Sequence, residues 1–275
     1  MPFLTTNDDV DLFYNDWGSG RPIVLVHGWP LNADMWAFTA NQLVERGHRV
    51  VAYDRRGFGR SEQPGQGYDY DTFSDDLANI MDFLQLENAV LAGFSMGGGE
   101  VARYMSRHQP NGKRVAKAAL ISAVTPYMAK DDSNPEGLDP ATFEGFVKEL
   151  NRDRPGFLSG FGKMFYGVKD GSDAVSQAYL DWTLQMAMMG SLRATIACVN
   201  AFGTTDFRED MKAFEVPTLI VHGTGDDIVP FETSAKKAAS MIANAELKVY
   251  EGEPHGLHYT SQQRLVDDIA EFARS

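Results

Sequence analysis

The regular alternation of short apolar runs with helical patterns constrains the fold of this chain more than any other feature. Six runs of β-branched and aliphatic residues recur along it, at 22–28, 48–54, 88–94, 116–122, 217–223 and 245–251. Near-continuous apolar runs of this kind are typical of strands that are covered on both faces, as in a parallel sheet. The alternation therefore predicts an α/β fold built from βαβ units.

Amphipathic helical patterns lie between and after these runs. The segment DTFSDDLANIMDFLQL places its apolar side chains on one face, and Asp71 or Thr72 is a candidate cap for its start. The terminal segment SQQRLVDDIAEFARS repeats the pattern. The segment VDLFYNDWG, which precedes the first run, predicts an antiparallel strand at the edge of the sheet.

The alternation stops between about residues 125 and 211, where the chain becomes helical and rich in Met and Phe. This stretch is either an extra helical layer or a cap whose apolar underside covers a pocket. Because it follows a strand, at the position where loops of open α/β sheets carry function, we favour the cap. The predicted division is therefore a core of residues 1–124 and 212–275 with a helical cap of residues 125–211.

Composition and charge exclude several partners. The chain has 275 residues and a net charge of −13, which argues against binding to nucleic acid or to an anionic membrane surface. No apolar run is long enough to span a bilayer, and the N-terminal segment does not have the pattern of a signal peptide. The one cysteine, Cys198, is expected to be buried and unreactive. We therefore expect a cytoplasmic protein.

The sequence GFSMG places Ser95 between a strand and a helix. It fits the pattern G-x-S-x-G, which is weak alone but follows the apolar run 88–94 and precedes the helical pattern GEVARYMSRH. A serine at such a corner needs a strained backbone and small neighbours, and Gly93 and Gly97 supply them. We interpret Ser95 as a nucleophile rather than as a serine of a simple turn.

A nucleophilic serine requires a base and an acid that orients the base, in the chain order Ser, Asp or Glu, His. The loop after run 217–223 offers Asp226 and Asp227, and the loop after run 245–251 offers His255 and His258. We favour Asp226, which directly follows a glycine, and His255, which lies between proline and glycine. Asp227 is the alternative acid, and His258 is expected to be a bystander.

Backbone groups complete the predicted site. The Trp29 N–H follows a strand and a glycine, and together with the Met96 N–H it predicts a two-donor oxyanion hole. Pro30 has no N–H and is not a donor.

The other titratable residues indicate no metal and no cofactor. The chain has no paired cysteines, no H-E-x-x-H pattern and no glycine-rich loop with the lysine that holds phosphate. We expect His27 and His222 to tie loops together, and His48 and His108 to lie at the surface.

Five ordered motifs carry a resemblance to a known family. The segments HGWP, YDRRGFGRSEQP, GFSMGGGE, HGTGDDIVPFETSAK and YEGEPHGLHYTSQQ together resemble the cofactor-free haloperoxidases and aryl esterases of the α/β-hydrolase superfamily, and the similarity runs nearly from end to end. The resemblance implies an α/β-hydrolase fold with a helical cap inserted after the sixth strand. It also implies Ser95 as nucleophile, Asp226 as acid, His255 as base and no metal or other cofactor.

The resemblance further implies an activity and its partners. Such enzymes cleave small carboxylic esters through an acyl-enzyme, and many let hydrogen peroxide replace water, giving peracids that oxidise halides. Pro30 matches members noted for this perhydrolysis, in which the Trp29 carbonyl would accept a hydrogen bond from peroxide. The implied pocket contacts are Val124, Phe146, Phe161 and Ile228. The resemblance also suggests a homo-oligomer.

Two alternatives remain open from the sequence. One is an amidase or lactamase with the same triad, and the other is a ligand-sensing protein of this fold with slow turnover. Dehalogenases and epoxide hydrolases of the fold use a carboxylate where Ser95 stands, which argues against both.

Overall fold

An eight-stranded sheet flanked by helices forms the centre of the protein. The computed structural model describes residues 2–112, 114–169 and 174–274. The strands are β1 (Phe3–Thr5), β2 (Asp11–Trp17), β3 (Pro22–Val26), β4 (Arg49–Tyr53), β5 (Ala89–Phe94), β6 (Val115–Ile121), β7 (Thr218–Gly223) and β8 (Ala245–Tyr250). Their order is β1-β2-β4-β3-β5-β6-β7-β8, and β3 to β8 run parallel to one another. The predicted α/β class is confirmed.

The helices alternate with the parallel strands except between β6 and β7. They are α1 (Ala37–Glu45), α2 (Tyr70–Phe83), α3 (Met96–Arg107), α4 (Gln109–Gly112), α5 (Pro140–Phe165), α6 (Gln177–Met188), α7 (Leu192–Thr204), α8 (Arg208–Met211), α9 (Ala235–Met241), α10 (Leu257–Thr260) and α11 (Gln262–Arg274). Among the described residues, no helix is both long and apolar enough to cross a membrane. Helix α2 begins at Tyr70 and is capped by Asp69, whose side chain accepts from the Thr72 N–H, so neither predicted cap was right.

The central strands form the core. All six residues of β5 are buried, as are four of the five residues in each of β3 and β4. These are the near-continuous apolar runs of the sequence, and they are covered on both faces because helices pack on the sheet.

The edge of the sheet differs from the prediction. Strand β2 pairs antiparallel with β4 as expected, but β1 pairs antiparallel with β2 on its outer side. Strand β2 is therefore the second strand, and β1 forms the edge. With only three residues, β1 is too short for an alternating pattern to be recognised in the sequence.

Helices α5 to α8 lie between β6 and β7, in the region predicted as a cap. Helix α5 is kinked at Asp153, where φ is −154° and ψ is 81°, and Pro155 follows shortly after. The Asp153 carboxylate accepts a hydrogen bond from the Gly156 N–H, which begins the second half of the helix. Residues 170–173 of the predicted cap lie outside the described residues.

The topology brings four loops to one edge of the sheet. Strands β3 and β5 are neighbours, with Val26 opposite Gly93, and β7 and β8 are neighbours, with Gly223 opposite Tyr250. Because parallel strands end at the same edge, the loops that follow β3, β5, β7 and β8 meet there. These loops carry all the catalytic residues that the sequence predicts.

Candidate active site

Ser95 occupies a sharp corner between β5 and α3. Its φ is 52° and its ψ is −119°. Residues other than glycine rarely adopt this backbone conformation, which costs about 1–3 kcal/mol. The Ser95 N–H donates to the Ile121 carbonyl at 2.8 Å, and the Ser95 carbonyl accepts from the Val124 N–H at 3.2 Å. The adjacent strand and its loop thus hold the strained residue in place.

Glycines make this corner possible because the backbone segments almost touch. A Cβ on Gly93 would lie 2.3 Å from the Gly97 carbonyl oxygen, and a Cβ on Gly97 would lie 2.5 Å from the Val26 carbonyl oxygen. A Cβ on Gly98 would lie 2.4 Å from the Ala123 Cβ. Any larger residue would separate α3 from the sheet and move Ser95.

His255 joins Ser95 to a carboxylate. Its Nε2 lies 2.9 Å from Ser95 Oγ, and its Nδ1 lies 2.7 Å from Asp226 Oδ2. With a proton on Nδ1 donated to Asp226, the Nε2 lone pair faces the serine hydroxyl and accepts a hydrogen bond from it, which is the arrangement a serine triad requires. All three side chains are buried, so little water competes for these contacts.

Asp226 is held by four donors. Its Oδ1 accepts from the N–H groups of Ile228 at 3.0 Å and Val229 at 2.8 Å, and its Oδ2 accepts from His255 and lies 3.2 Å from His222 Nε2. Burial alone would raise the pKa of Asp226, but His255 and His222 outweigh it and hold that pKa below its usual range. The carboxylate therefore stays ionised and orients the imidazole of His255.

The two alternatives from the sequence, Asp227 and His258, take no part in this hydrogen-bonded chain. Asp227 is exposed and is not bonded to His255. His258 is buried beside Phe94, with ring centroids 5.0 Å apart, and neither of its ring nitrogens has a partner among the described residues. Burial, with a smaller contribution from His255, lowers the pKa of His258 to about 3, so this ring is neutral at neutral pH. Among the described residues it forms no hydrogen bond with Ser95.

The loop after β3 is fixed by His27. The Arg55 backbone N–H donates to His27 Nε2 at 2.9 Å, so Nδ1 carries the ring proton and donates to the Gly28 carbonyl at 3.0 Å. Because the N–H and C=O of a trans peptide point in opposite directions, pinning the Gly28 carbonyl also orients the Trp29 N–H. Neither the Trp29 N–H nor the Met96 N–H has a hydrogen-bond partner within the described part of the chain.

A buried ion pair supports this loop from below. Arg55 Nε donates to Glu100 Oε2 at 2.6 Å, the Tyr53 hydroxyl donates to Glu100 Oε1, and an Arg55 amino group donates to the His27 carbonyl at 2.8 Å. The side chains of Arg55 and Glu100 are both fully buried. The network joins β4 and α3 to the loop that carries Trp29, and no sequence motif indicated it.

A cavity of about 170 Å³ opens above Ser95 and His255. Its walls are almost entirely apolar, and they include the four predicted contacts Val124, Phe146, Phe161 and Ile228. The remaining lining residues are Trp29, Met128, Leu138, Thr142, Phe143, Met164, Phe202, Asp227 and Val229. Most of the aromatic wall comes from α5 and α7. The sequence shows that this region is helical and rich in Phe, but not which of its side chains face the cavity.

No alternative reactive centre stands out in the described residues. In 2–112, 114–169 and 174–274, no group of three or more His, Cys, Asp or Glu side chains is arranged to hold a metal ion. Cys198 is fully buried in α7, and burial raises the pKa of its thiol to about 12. His48, predicted at the surface, is buried.

The chain is similar to known proteins both in sequence and in structure. A family model described as alpha/beta hydrolase fold matches residues 21–262. The chain is 46% identical to a non-heme chloroperoxidase of Streptomyces lividans and 43% identical to a bifunctional esterase/perhydrolase of Acinetobacter calcoaceticus, with 100% of both chains covered in each case. The crystal structure of a bromoperoxidase from Bacillus anthracis is 41% identical, with a TM-score of 0.94 and 100% of both chains covered.

Proposed function

The chain belongs to the alpha/beta-hydrolase fold family, and from this premise we propose that it cleaves small carboxylic esters through an acyl-enzyme and passes the acyl group to hydrogen peroxide as well as to water. Its full-length relatives include non-heme chloroperoxidases and an enzyme named for both esterase and perhydrolase activity. The observation that carries the proposal is the hydrogen-bonded chain from Ser95 through His255 to Asp226 at the floor of an apolar cavity.

Acylation begins with proton transfer from Ser95 Oγ to His255 Nε2. The oxygen attacks the ester carbonyl, and the negative charge on the carbonyl oxygen is stabilised by the N–H groups of Trp29 and Met96. Asp226 keeps the imidazole oriented and stabilises the imidazolium that forms. Collapse of the intermediate breaks the bond to the alcohol, which leaves with the proton from His255.

Deacylation repeats these steps with a second nucleophile. Water or hydrogen peroxide gives a proton to His255 and attacks the acyl carbonyl, and collapse returns the proton to Ser95 and releases a carboxylic acid or a peracid. A hydrogen bond from peroxide to the Trp29 carbonyl favours the second outcome. A released peracid then oxidises halide to hypohalous acid and becomes the carboxylic acid, so the protein needs no redox group of its own.

The proposal includes the organisation of the chain. Residues 125–211 form a cap that carries much of the cavity wall, the remaining residues form the core, and the protein works as a cytoplasmic homo-oligomer. The family resemblance supports the oligomer. Light scattering of the purified protein measures its mass directly, and a mass equal to one chain would overturn that part.

Acetate and peracetate release from phenyl acetate, with and without hydrogen peroxide, tests the activity. Ser95→Ala is the control, and its circular dichroism should match that of the parent protein. We expect both products from the parent protein, and a loss of at least about 10⁴-fold in the variant.

Each other result points to a different assignment. Acetate without peracetate would overturn perhydrolysis and leave an esterase. A single burst without turnover would favour the ligand sensor, and faster cleavage of the matching anilide would favour the amidase. Full activity in Ser95→Ala would remove Ser95 as nucleophile.

A further inference from the structure

One residue of the cavity wall does not fit its surroundings. Asp227 lines the cavity next to Ile228, and ten of the other lining residues are Val, Leu, Ile, Met or Phe. It follows Asp226 directly in the chain, yet Asp226 points its oxygens at His255 and at backbone N–H groups. Asp227 therefore contributes a carboxylate that the proposed catalytic steps do not use.

The charge of Asp227 is not neutralised. Within the described ranges, its carboxylate forms no hydrogen bond and no ion pair, whereas Glu232 on the same loop pairs with Lys236. Apart from Asp227, the one titratable side chain that lines the cavity is His255. Asp227 is exposed, so water screens its charge on the solvent side, but on the cavity side the apolar side chains screen it less than water does.

We propose that Asp227 sets the charge preference of the cavity, so that neutral and cationic esters are accepted and esters bearing a carboxylate are disfavoured. This inference rests on the proposed esterase function and names its substrate class. The physical reason is Coulomb repulsion between the Asp227 carboxylate and a carboxylate of the substrate held in the same cavity. An apolar wall strengthens the effect, since a substrate carboxylate would also lose water without gaining a donor.

The same charge affects the products. At neutral pH the carboxylic acid product is an anion, whereas hydrogen peroxide is neutral and a peracid, being a weaker acid than its parent, is largely un-ionised. Repulsion from Asp227 speeds the departure of the carboxylate and opposes its return.

A pair of substrates that differ in charge but hardly in shape tests the proposal. These are 4-acetoxybenzoate, which carries a carboxylate, and 4-acetoxybenzamide, which is neutral; both donate an acetyl group. The measured quantity is the ratio of kcat/KM for the anion to kcat/KM for the amide. The parent protein is compared with Asp227→Asn, and with Glu232→Gln as the matched control, which removes one charge from the same loop outside the cavity.

We expect Asp227→Asn to raise the anion-to-amide ratio about three- to tenfold at low ionic strength, as for a unit charge several ångströms away in a partly solvated site. Asp227→Glu should restore the parent ratio, and Glu232→Gln should leave it unchanged. In about 0.5 M NaCl the difference between the parent protein and Asp227→Asn should shrink, because salt screens the repulsion. A structural disturbance would change kcat/KM for both substrates alike and would not depend on salt in this way.

Two failures can be told apart. If the parent protein cleaves neither substrate, nor phenyl acetate, the proposed esterase function fails. If it cleaves the amide well but the ratio is the same in Asp227→Asn, or changes equally in Glu232→Gln, the esterase stands and the role of Asp227 is overturned.

Discussion

His222 and His255 share one oxygen of Asp226. His255 Nδ1 lies 2.7 Å from Oδ2, and His222 Nε2 lies 3.2 Å from the same atom while also donating to the Val229 carbonyl at 2.8 Å. The proposed catalytic acid therefore contacts two imidazoles, one of which faces the serine and one of which is buried behind it. We predict that His222 positions Asp226, and four further relationships in the fold can be tested in the same way.

Replacing His222 should weaken catalysis through Asp226. In His222→Phe the carboxylate loses a donor, and loss of a hydrogen bond to a charged group predicts a decrease of about tenfold or more in kcat/KM. Because His222 acts on the substrate only through Asp226 and His255, the loss should appear in kcat rather than in KM. His48→Phe, which alters a buried histidine outside the site, is the control. A lower melting temperature with an unchanged kcat would mean that His222 has only a structural role.

Two glycine substitutions should have opposite effects on stability. In Gly93→Ala the new methyl would lie 2.3 Å from the Gly97 carbonyl oxygen, and overpacking of this kind predicts a loss of about 1–3 kcal/mol or more in the free energy of unfolding. Gly160→Ala, in α5, meets nothing within 4 Å and should stabilise the protein by about 0.4–1 kcal/mol. Urea denaturation measures both. Equal effects at the two positions would contradict the packing argument.

Breaking the ion pair between Arg55 and Glu100 should lower the free energy of unfolding far more than breaking an ion pair at the surface. Glu100→Gln leaves the fully buried Arg55 guanidinium without its counter-charge, and breaking such a pair costs about 3–5 kcal/mol. Glu149→Gln removes the exposed partner of Arg152 and should change stability by less than about 1 kcal/mol. Thermal and urea unfolding compare the two variants. Arg55 also donates to the His27 carbonyl, in the loop that carries Trp29. We therefore expect any Glu100→Gln protein that folds to have a reduced kcat. An unchanged kcat would mean that the ion pair does not support this loop.

Acid should destabilise the protein partly through His258. Its pKa is lowered to about 3 in the folded protein and has the ordinary value near 6.5 in the unfolded chain. Between these values the unfolded chain binds a proton that the folded chain does not, so the free energy of unfolding falls as the pH falls, by up to about 1.4 kcal/mol per pH unit from this group. His258→Phe should flatten this dependence between about pH 6 and 4. An unchanged slope in His258→Phe would exclude the proposed contribution.

The last of these relationships concerns the aromatic wall of the cavity. Phe161 contacts Trp29, with ring centroids 5.1 Å apart, and both line the cavity. Phe161→Ala should enlarge the cavity and raise the relative kcat/KM for longer acyl chains, such as hexanoate over acetate, by a few-fold, since a buried methylene contributes about 0.8 kcal/mol. Phe83→Ala, on an exposed side chain that does not line the cavity, should leave the chain-length preference unchanged. No change in preference in Phe161→Ala would mean that the acyl group does not occupy this part of the cavity.

Much of the fold is visible in the sequence because its signals are local. The inner strands β3, β4 and β5 are near-continuous apolar runs, and the elbow at Ser95 is a glycine-flanked serine between a strand and a helix. Asp226 and His255 follow β7 and β8, in the order that a serine triad requires. Two local features were not predicted from the sequence. Strand β1 has only three residues, too few to show an alternating pattern. The N-cap of α2, Asp69, is a single residue next to other candidates of the same type.

The α/β class with its βαβ units, a serine at a strand end and two loops that can supply its acid and base were all predictable from the sequence alone. Four relationships became visible only in the folded protein. His222 lies beside Asp226, and Asp227 lines the cavity. The pair of Arg55 and Glu100 holds the loop at His27, and two histidines, His48 and His258, are buried. Periodicity and turn residues are local patterns, and they indicate which segments form apolar strands, amphipathic helices or turns. Burial, pairing and charge depend on which distant segments meet, and that is set by how the layers of the sheet and its helices pack.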